Sequence, residues 1–299
     1  MSSDSGAPLD QEEPVGTTLA RMRRARRLSG AELAVRVGMS QPKISRIERG
    51  RGVADPKDVV TIARALGADD AVASDLQRRA EGAQDRMTDW RPSNADLANR
   101  QNGVAEWEAS ATEIRDFQPA VLPGLLQTGS YIRAALLSFQ RLVQPDADET
   151  AMARAVTART ARQEVLADPD TTFHFVVTEA VLRNRLCPPE AMLEQLTNLR
   201  LLARRPNVIL ALVPEGVPTP LPPLHGFTVY DEDMVVIDAF NTGLLSRGGG
   251  VVRQYRHVFD LFRQVATTDI EPILDRYRTW YLAQLTDDGG GQSSDVPGR

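Results

Sequence analysis

The punctuation of residues 17–67 restricts the start of this chain to a series of short helices. Thr17 or Thr18 can cap a helix through LARMRRARRL, where Leu19, Met22, Ala25 and Leu28 recur at helical spacing. Ser29-x-x-Glu32 is a capping box, in which the serine accepts from the third backbone N–H and the glutamate reaches back to the cap. It starts the helix GAELAVRV, and the next residue, Gly38, can take the left-handed conformation that ends helices. Ser40 caps QPKISRIER, with Pro42 in the first turn, where a missing N–H costs nothing, and Gly50 as the stop. Asp55 caps PKDVVTIARAL, with Pro56 at its first position and Gly67 beyond its end. Residues 69–88 read as a fifth, more polar helix, so this region is all-α.

Charge divides the chain in the same place. Its 299 residues carry a formal net charge of -5, and 42% apolar with 25% charged residues is a globular composition. The length points to two domains. An even spread of that charge, with pI 5.4, argues against a nucleic-acid partner. The spread is not even. Residues 1–16 hold Asp4, Asp10, Glu12 and Glu13 without a base. Residues 17–51 hold nine arginines and Lys43 against Glu32 and Glu48, a local +8, which leaves -13 elsewhere. A basic block of this kind is the footprint of a polyanion-binding module or a solvated helix face, and charge alone does not separate the two.

Pattern separates them. The two short helices joined by Gly38-Met39-Ser40 form a helix-turn-helix. The residues Glu32-Leu33-Ala34, Val37-Gly38, Ser40-Gln41, Ile44-Ser45, Ile47-Glu48 and Gly50 resemble the Xre/Cro-type family of phage repressors and bacterial regulators over about residues 15–68. The resemblance implies that Leu33, Ala34, Val37, Ile44 and Ile47 face a small core and that the second helix enters the major groove of double-stranded DNA by its N-terminal end. Gln41 and Arg46 are then the base readers, because Gln pairs bidentately with adenine and Arg with guanine. Ser40 and Lys43 can contact phosphate, and Pro42 can offer an apolar contact to a thymine methyl. Arg49 and Arg51 are phosphate contacts or solvated charge. Gly30 stands where the family often has a phosphate-touching Gln, so that contact falls to a backbone N–H or to Ser29. Arg23 and Glu48 match positions that form a buried ion pair in several family members.

The rest of the chain reads as a mixed α+β domain at 104–285, after a linker at 88–103 and before a disordered tail at 286–299. With the N-terminal domain at 15–87, the expected fold class is multi-domain: an all-α helix-turn-helix domain, then an α+β domain with a small antiparallel sheet. Helices are expected near 104–114, 125–139, 148–167, 179–186, 188–204, 250–266 and 269–285. Strand-like runs are 172–178, 207–213, 225–231 and 234–240, with Asp231-Glu232-Asp233 as a hairpin turn. Five prolines make 214–224 an extended loop.

The segments Leu122-Pro123-Gly124-Leu125-Leu126-Gln127-Thr128, Tyr131-Ile132-Arg133-Ala134, Arg159-x-x-Arg162-Gln163, Glu179-Ala180-x-Leu182-Arg183, Gln195-Leu196 with Leu199, and Pro206-Asn207-Val208 resemble the C-terminal domain of the actinobacterial Scr1-family antitoxin-like regulators. One departure is Asn184-Arg185, where that family usually has a turn such as Val-Gly. This second resemblance implies a transcription factor, often paired with a small protein encoded beside it. The Pro123-Gly124 motif itself reads as a packing joint. Glu108, Arg133, Arg159, Arg162 and Glu179 form either a buried ion-pair network or a pocket for an acidic ligand.

Catalysis is not expected. His174, His225 and His257 lack metal-ligand spacing, no cofactor motif is present, and Cys187 has no nearby His. The polar, acidic N-terminus is unlike a signal peptide, and no apolar run spans a membrane, so a cytoplasmic protein is expected. One short reading helix covers few base pairs, which argues for a homodimer. Tyr277, Trp280 and Tyr281 of the last helix are interface or core. The alternatives are an antitoxin-like module that sequesters a small partner protein, or a ligand-responsive repressor.

Overall fold

A computed structural model of the chain describes residues 13–50, 54–85, 87–90, 97–143, 149–239 and 242–287. It separates into two compact units. The first runs to Met87 and includes Ser246–Gly250, and the second comprises Thr88–Leu245 and the chain from Val251 on.

The first unit contains α1 (Val15–Ala25), α2 (Gly30–Val37), α3 (Gln41–Glu48), α4 (Pro56–Ala65) and α5 (Asp70–Gln84). The caps explain these bounds. Ser29 and Glu32 complete the capping box of α2, and Gly38 closes it at φ 68°. Ser40 accepts from the Lys43 N–H at the start of α3, and Asp55 accepts from Lys57 N–H at the start of α4. The first helix differs from expectation. It begins at Val15 behind Pro14, not at a threonine cap, and Thr18 is buried with its hydroxyl donating to Glu13 at 3.0 Å.

Leu19, Leu33, Ile44, Val59, Ile62 and Leu66 fill the core, with Ala34 and Ile47 beside them and Met22, Leu28 and Val37 at its edge. Ala25 is exposed. Gly16 lets α1 cross α3 at backbone contact, because a Cβ there would lie 2.2 Å from the Ile47 carbonyl oxygen. Two turns on, Arg23 grips Glu48 with both arms: Nε to Oε1 at 2.7 Å and Nη2 to Oε2 at 2.8 Å. Its third nitrogen, Nη1, donates to the Leu28 carbonyl at 2.6 Å. The pair implied by the resemblance is therefore present, and it ties α3 to α1.

The second unit is built on a seven-stranded mixed sheet in the order β1-β7-β6-β5-β2-β3-β4. In chain order come β1 (Thr88–Asp89), α6 (Leu97–Ser110), β2 (Glu113–Gln118), a 3-10 turn (Gly124–Leu126), α7 (Gly129–Val143) and α8 (Glu149–Arg162). Then follow β3 (Thr172–Thr178), α9 (Ala180–Arg183), α10 (Pro189–Leu202) and β4 (Val208–Val213). The chain continues with β5 (Phe227–Tyr230), β6 (Met234–Asp238), β7 (Gly243–Ser246), α11 (Gly249–Val265) and α12 (Glu271–Asp287).

The small antiparallel sheet expected from sequence is thus corrected. β2, β3 and β4 run parallel, joined by helical crossovers, while the β2–β5, β5–β6 and β1–β7 pairings are antiparallel. The near-continuous apolar run of β3 and β4 is the mark of a strand covered on both faces. The Asp231–Asp233 turn does join β5 to β6, with Asp231 at φ 51°. Residues 88–103, expected as a linker, include β1 and the start of α6, and α12 extends two residues into the expected tail.

One sheet face carries Ile114, Phe173, Phe175, Val177, Leu210, Leu212 and Met234, which pack on Leu196 and Leu199 of α10 and on Leu274, Tyr277 and Tyr281 of α12. Trp280 packs against the same cluster, so the aromatic residues of α12 belong to the core rather than to an interface. On the other face Phe117 stacks on Phe262 of α11 with centroids 4.2 Å apart. The Leu122–Thr128 segment is a packing joint. Gln195, fully buried, accepts from Thr128 N–H and donates to the Leu126 carbonyl, both at 2.7 Å.

A polar cluster interrupts the main core. Arg162 binds Glu108 through Nε and Nη2 at 2.9 and 2.5 Å, and its Nη1 donates to Gln101 at 2.5 Å. Asp116 of β2 lies nearby, buried, with Gln118 donating to it at 2.9 Å. Burial, with the negative charges of Glu108 and Asp238 against the positive Arg162, raises its pKa from 3.8 to about 7.

Two stability predictions follow from these pairs. Arg23→Ala leaves Glu48 without its partner and is expected to cost on the order of 3 kcal/mol in urea unfolding, whereas replacing both residues by apolar side chains of similar volume costs far less. Between pH 3.8 and about 7 the native Asp116 holds a proton that the unfolded chain has released, so stability falls as pH rises through that window. Asp116→Asn removes this loss. Its melting temperature is expected to change less than wild type between about pH 5 and about pH 8, and an unchanged pH dependence would show that Asp116 titrates normally.

Candidate nucleic-acid interface

The face that α3 presents depends on how its two ends are made. Its buried side, Ile44 and Ile47, seats it in the core, and Glu48 is held by Arg23 at its far end. The outer side carries Gln41, Pro42 and Arg46, all exposed, and Arg49 follows at the C-cap. Gln41, Arg46 and Arg49 have no hydrogen-bond or ion-pair partner among the described residues. Gln41 also borders Gly30, whose Cβ position would lie 3.7 Å from the Gln41 amide nitrogen. The side chain missing at Gly30 leaves that amide open on the α2 side.

The remaining expected contact residues divide. Ser29 is exposed, and its Oγ accepts from Glu32 N–H at 3.1 Å, which leaves the hydroxyl hydrogen to donate. Ser40 likewise accepts from Lys43 N–H at 3.4 Å. Lys43 is not a free cation: its Nζ sits 2.7 Å from Asp58 in the first turn of α4. Sequence reasoning missed this partner. The available signal was an acid in the first turn of the next helix, where it also favours the helix dipole. Arg51 lies outside the described residues.

The +8 block is correspondingly not one uniform footprint. Arg23 is bound to Glu48, Arg21 to Glu13 at 3.1 Å, and Arg36 donates to the Ala65 carbonyl at 3.5 Å. The guanidinium of Arg26 packs over Gly67. The exposed arginines of the block with no ion-pair partner among the described residues are Arg24, Arg26, Arg27, Arg36, Arg46 and Arg49.

In the second unit, the five charged residues expected to form one network fall into three places. Arg162, which holds Glu108, and Arg159 both donate to Gln101, Arg159 at 3.1 Å. Burial, with Arg162 beside it, lowers the Arg159 guanidinium to about 10. Arg133 pairs with Glu149 on the surface at 3.2 Å. Glu179, buried, accepts from Tyr277 Oη at 3.0 Å and from Arg276 Nη2 at 2.5 Å. Burial, with the Glu194 charge, pushes the Cys187 thiol up to about 11 and so favours its neutral form. No group of His, Cys, Asp and Glu among the described residues is arranged to hold a metal, and no described helix is long and apolar enough to cross a membrane.

Comparison with known families agrees with this division of the chain. Residues 14–76 match a helix-turn-helix domain, the kind of domain carried by DNA-binding regulators. Residues 101–272 match a domain of unknown function, DUF5753. Neither a curated protein nor a solved structure matches the chain. The second match spans more than half of the sequence, and the chain therefore belongs to the DUF5753 family, with a helix-turn-helix domain ahead of it.

Proposed function

We propose that this protein is a sequence-specific, dimeric transcriptional regulator that reads the major groove of double-stranded DNA with α3. The observation that carries the reading is the contrast along α3: its inner face and its end are fixed by Ile44, Ile47 and the Arg23–Glu48 pair, while Gln41 and Arg46 stand exposed and unpartnered among the described residues. An amide edge that both donates and accepts and a guanidinium edge that donates, on a rigid, exposed helix, are what base readout requires. Ser29, Ser40 and Arg49 supply phosphate contacts around them. The finer kinship with Xre/Cro-type and Scr1-family antitoxin-like regulators, and a cytoplasmic, non-enzymatic role, belong to the same proposal.

Selection of bound sites from random DNA tests it. Gln41→Ala and Arg46→Ala are each expected to lose about 1–3 kcal/mol of binding and to relax preference at one base position. Wild-type binding and preference in both variants would remove α3 as the reading element.

The Asp58 contact adds a second expectation. Asp58→Asn frees Lys43 for phosphate, so affinity rises a few-fold on all sequences and the log–log salt slope steepens by roughly one. Fluorescence anisotropy across a salt series measures both, and Lys43→Ala in the same background is expected to cancel the gain.

A further inference from the structure

The second unit has an open groove of about 510 Å³ between α7 and α10. Its apolar lining is Ala134 and Leu137 from α7 with Pro188 and Ala191 at the start of α10. The walls differ in charge. Arg133 stands on the α7 side, and Glu190 and Glu194 stand on the α10 side. Outside the groove proper, Leu201 continues the outer face of α10 one further heptad step past Glu194 and is 59% exposed.

Each wall is thus the electrostatic complement of the other, so a second copy of the groove presents it with opposite charge on each side. We infer that it is the surface through which two copies of this chain associate, with a two-fold axis along the groove. This rests on the dimeric reading proposed above and gives that dimer its interface.

The axis places α7 of each copy over α10 of its partner. Arg133 then meets the partner's Glu190 and the partner's Glu194, and the same contact is made twice, as an isologous interface requires. Leu137 and Leu201 lose their exposure. The present partners of the wall residues do not oppose this. Arg133 pairs with Glu149, which is itself 88% exposed, and such pairs exchange at little cost. Glu194 accepts from Ser130 at 3.0 Å and retains a second oxygen for a partner. Like-charged walls would instead repel in the same arrangement, which gives the inference its test.

Light scattering on the full-length chain measures the outcome. The wild type is expected at twice its 32.8 kDa mass. Arg133→Glu alone, and Glu190→Arg with Glu194→Arg, are each expected at the mass of one chain with an unchanged circular dichroism spectrum. Mixing the two variants is expected to restore the doubled mass, because opposite walls face each other again. That rescue cannot arise from misfolded protein. Variants that keep the doubled mass, or a mixture that stays at one chain, overturn the groove as the interface and leave the dimeric reading standing. A wild type that runs as one chain overturns both.

Discussion

The bidentate contact between Arg23 and Glu48 is the constraint on which the reading surface depends. It joins the last turn of α1 to the last residue of α3 and leaves only small exposure on either side chain. Gly16 makes the same crossing possible by letting the two backbones touch. A helix of eight residues has little stability of its own. Its direction is set at three points: the Ser40 cap, the Ile44 and Ile47 anchors, and the guanidinium at its end. The residues left over on its outer face are free for recognition because none of them is needed to hold the helix.

The first unit was legible in the sequence because its determinants are local. Ser29 and Glu32, Gly38, Ser40 and Pro42, and Asp55 each act within four residues of the helix end they define. The second unit was less legible because its central strand hides its pattern. β2 reads Glu-Ile-Arg-Asp-Phe-Gln, with charge on both faces. Glu113 and Arg115 are charged because Arg256 and Asp260 of α11 meet them far along the chain, at 2.8 and 2.9 Å. Asp116 faces the other way, into the cluster around Glu108 and Arg162. Without β2 the parallel strands on one side and the hairpin on the other do not join, and a small antiparallel sheet is what remains to be inferred.

The candidate interface shows the same limit. Exposure of Arg46 follows from helical periodicity, since it lies away from Ile44 and Ile47, and that of Gln41 from its place as the first residue of α3. The engagement of Lys43 with Asp58 does not, because it depends on how α4 is placed against α3. Counting bases gives +8, yet several of those charges are already committed to holding the helices together. The charge available to a polyanion is smaller and more localised than the sum suggests, and it is set by tertiary contacts rather than by composition.

The joint closed by Gln195 stands apart from this electrostatic logic. Its amide closes the joint before α7 by satisfying one backbone donor and one backbone carbonyl, and Asn198 and Gln163 add further amide contacts to the same joint. Neutral amides neither titrate nor attract counterions. These amide contacts are therefore indifferent to acidity and ionic strength over the range in which cation–phosphate contacts weaken. A change of salt that acts on the N-terminal charges leaves these amide contacts as they were built.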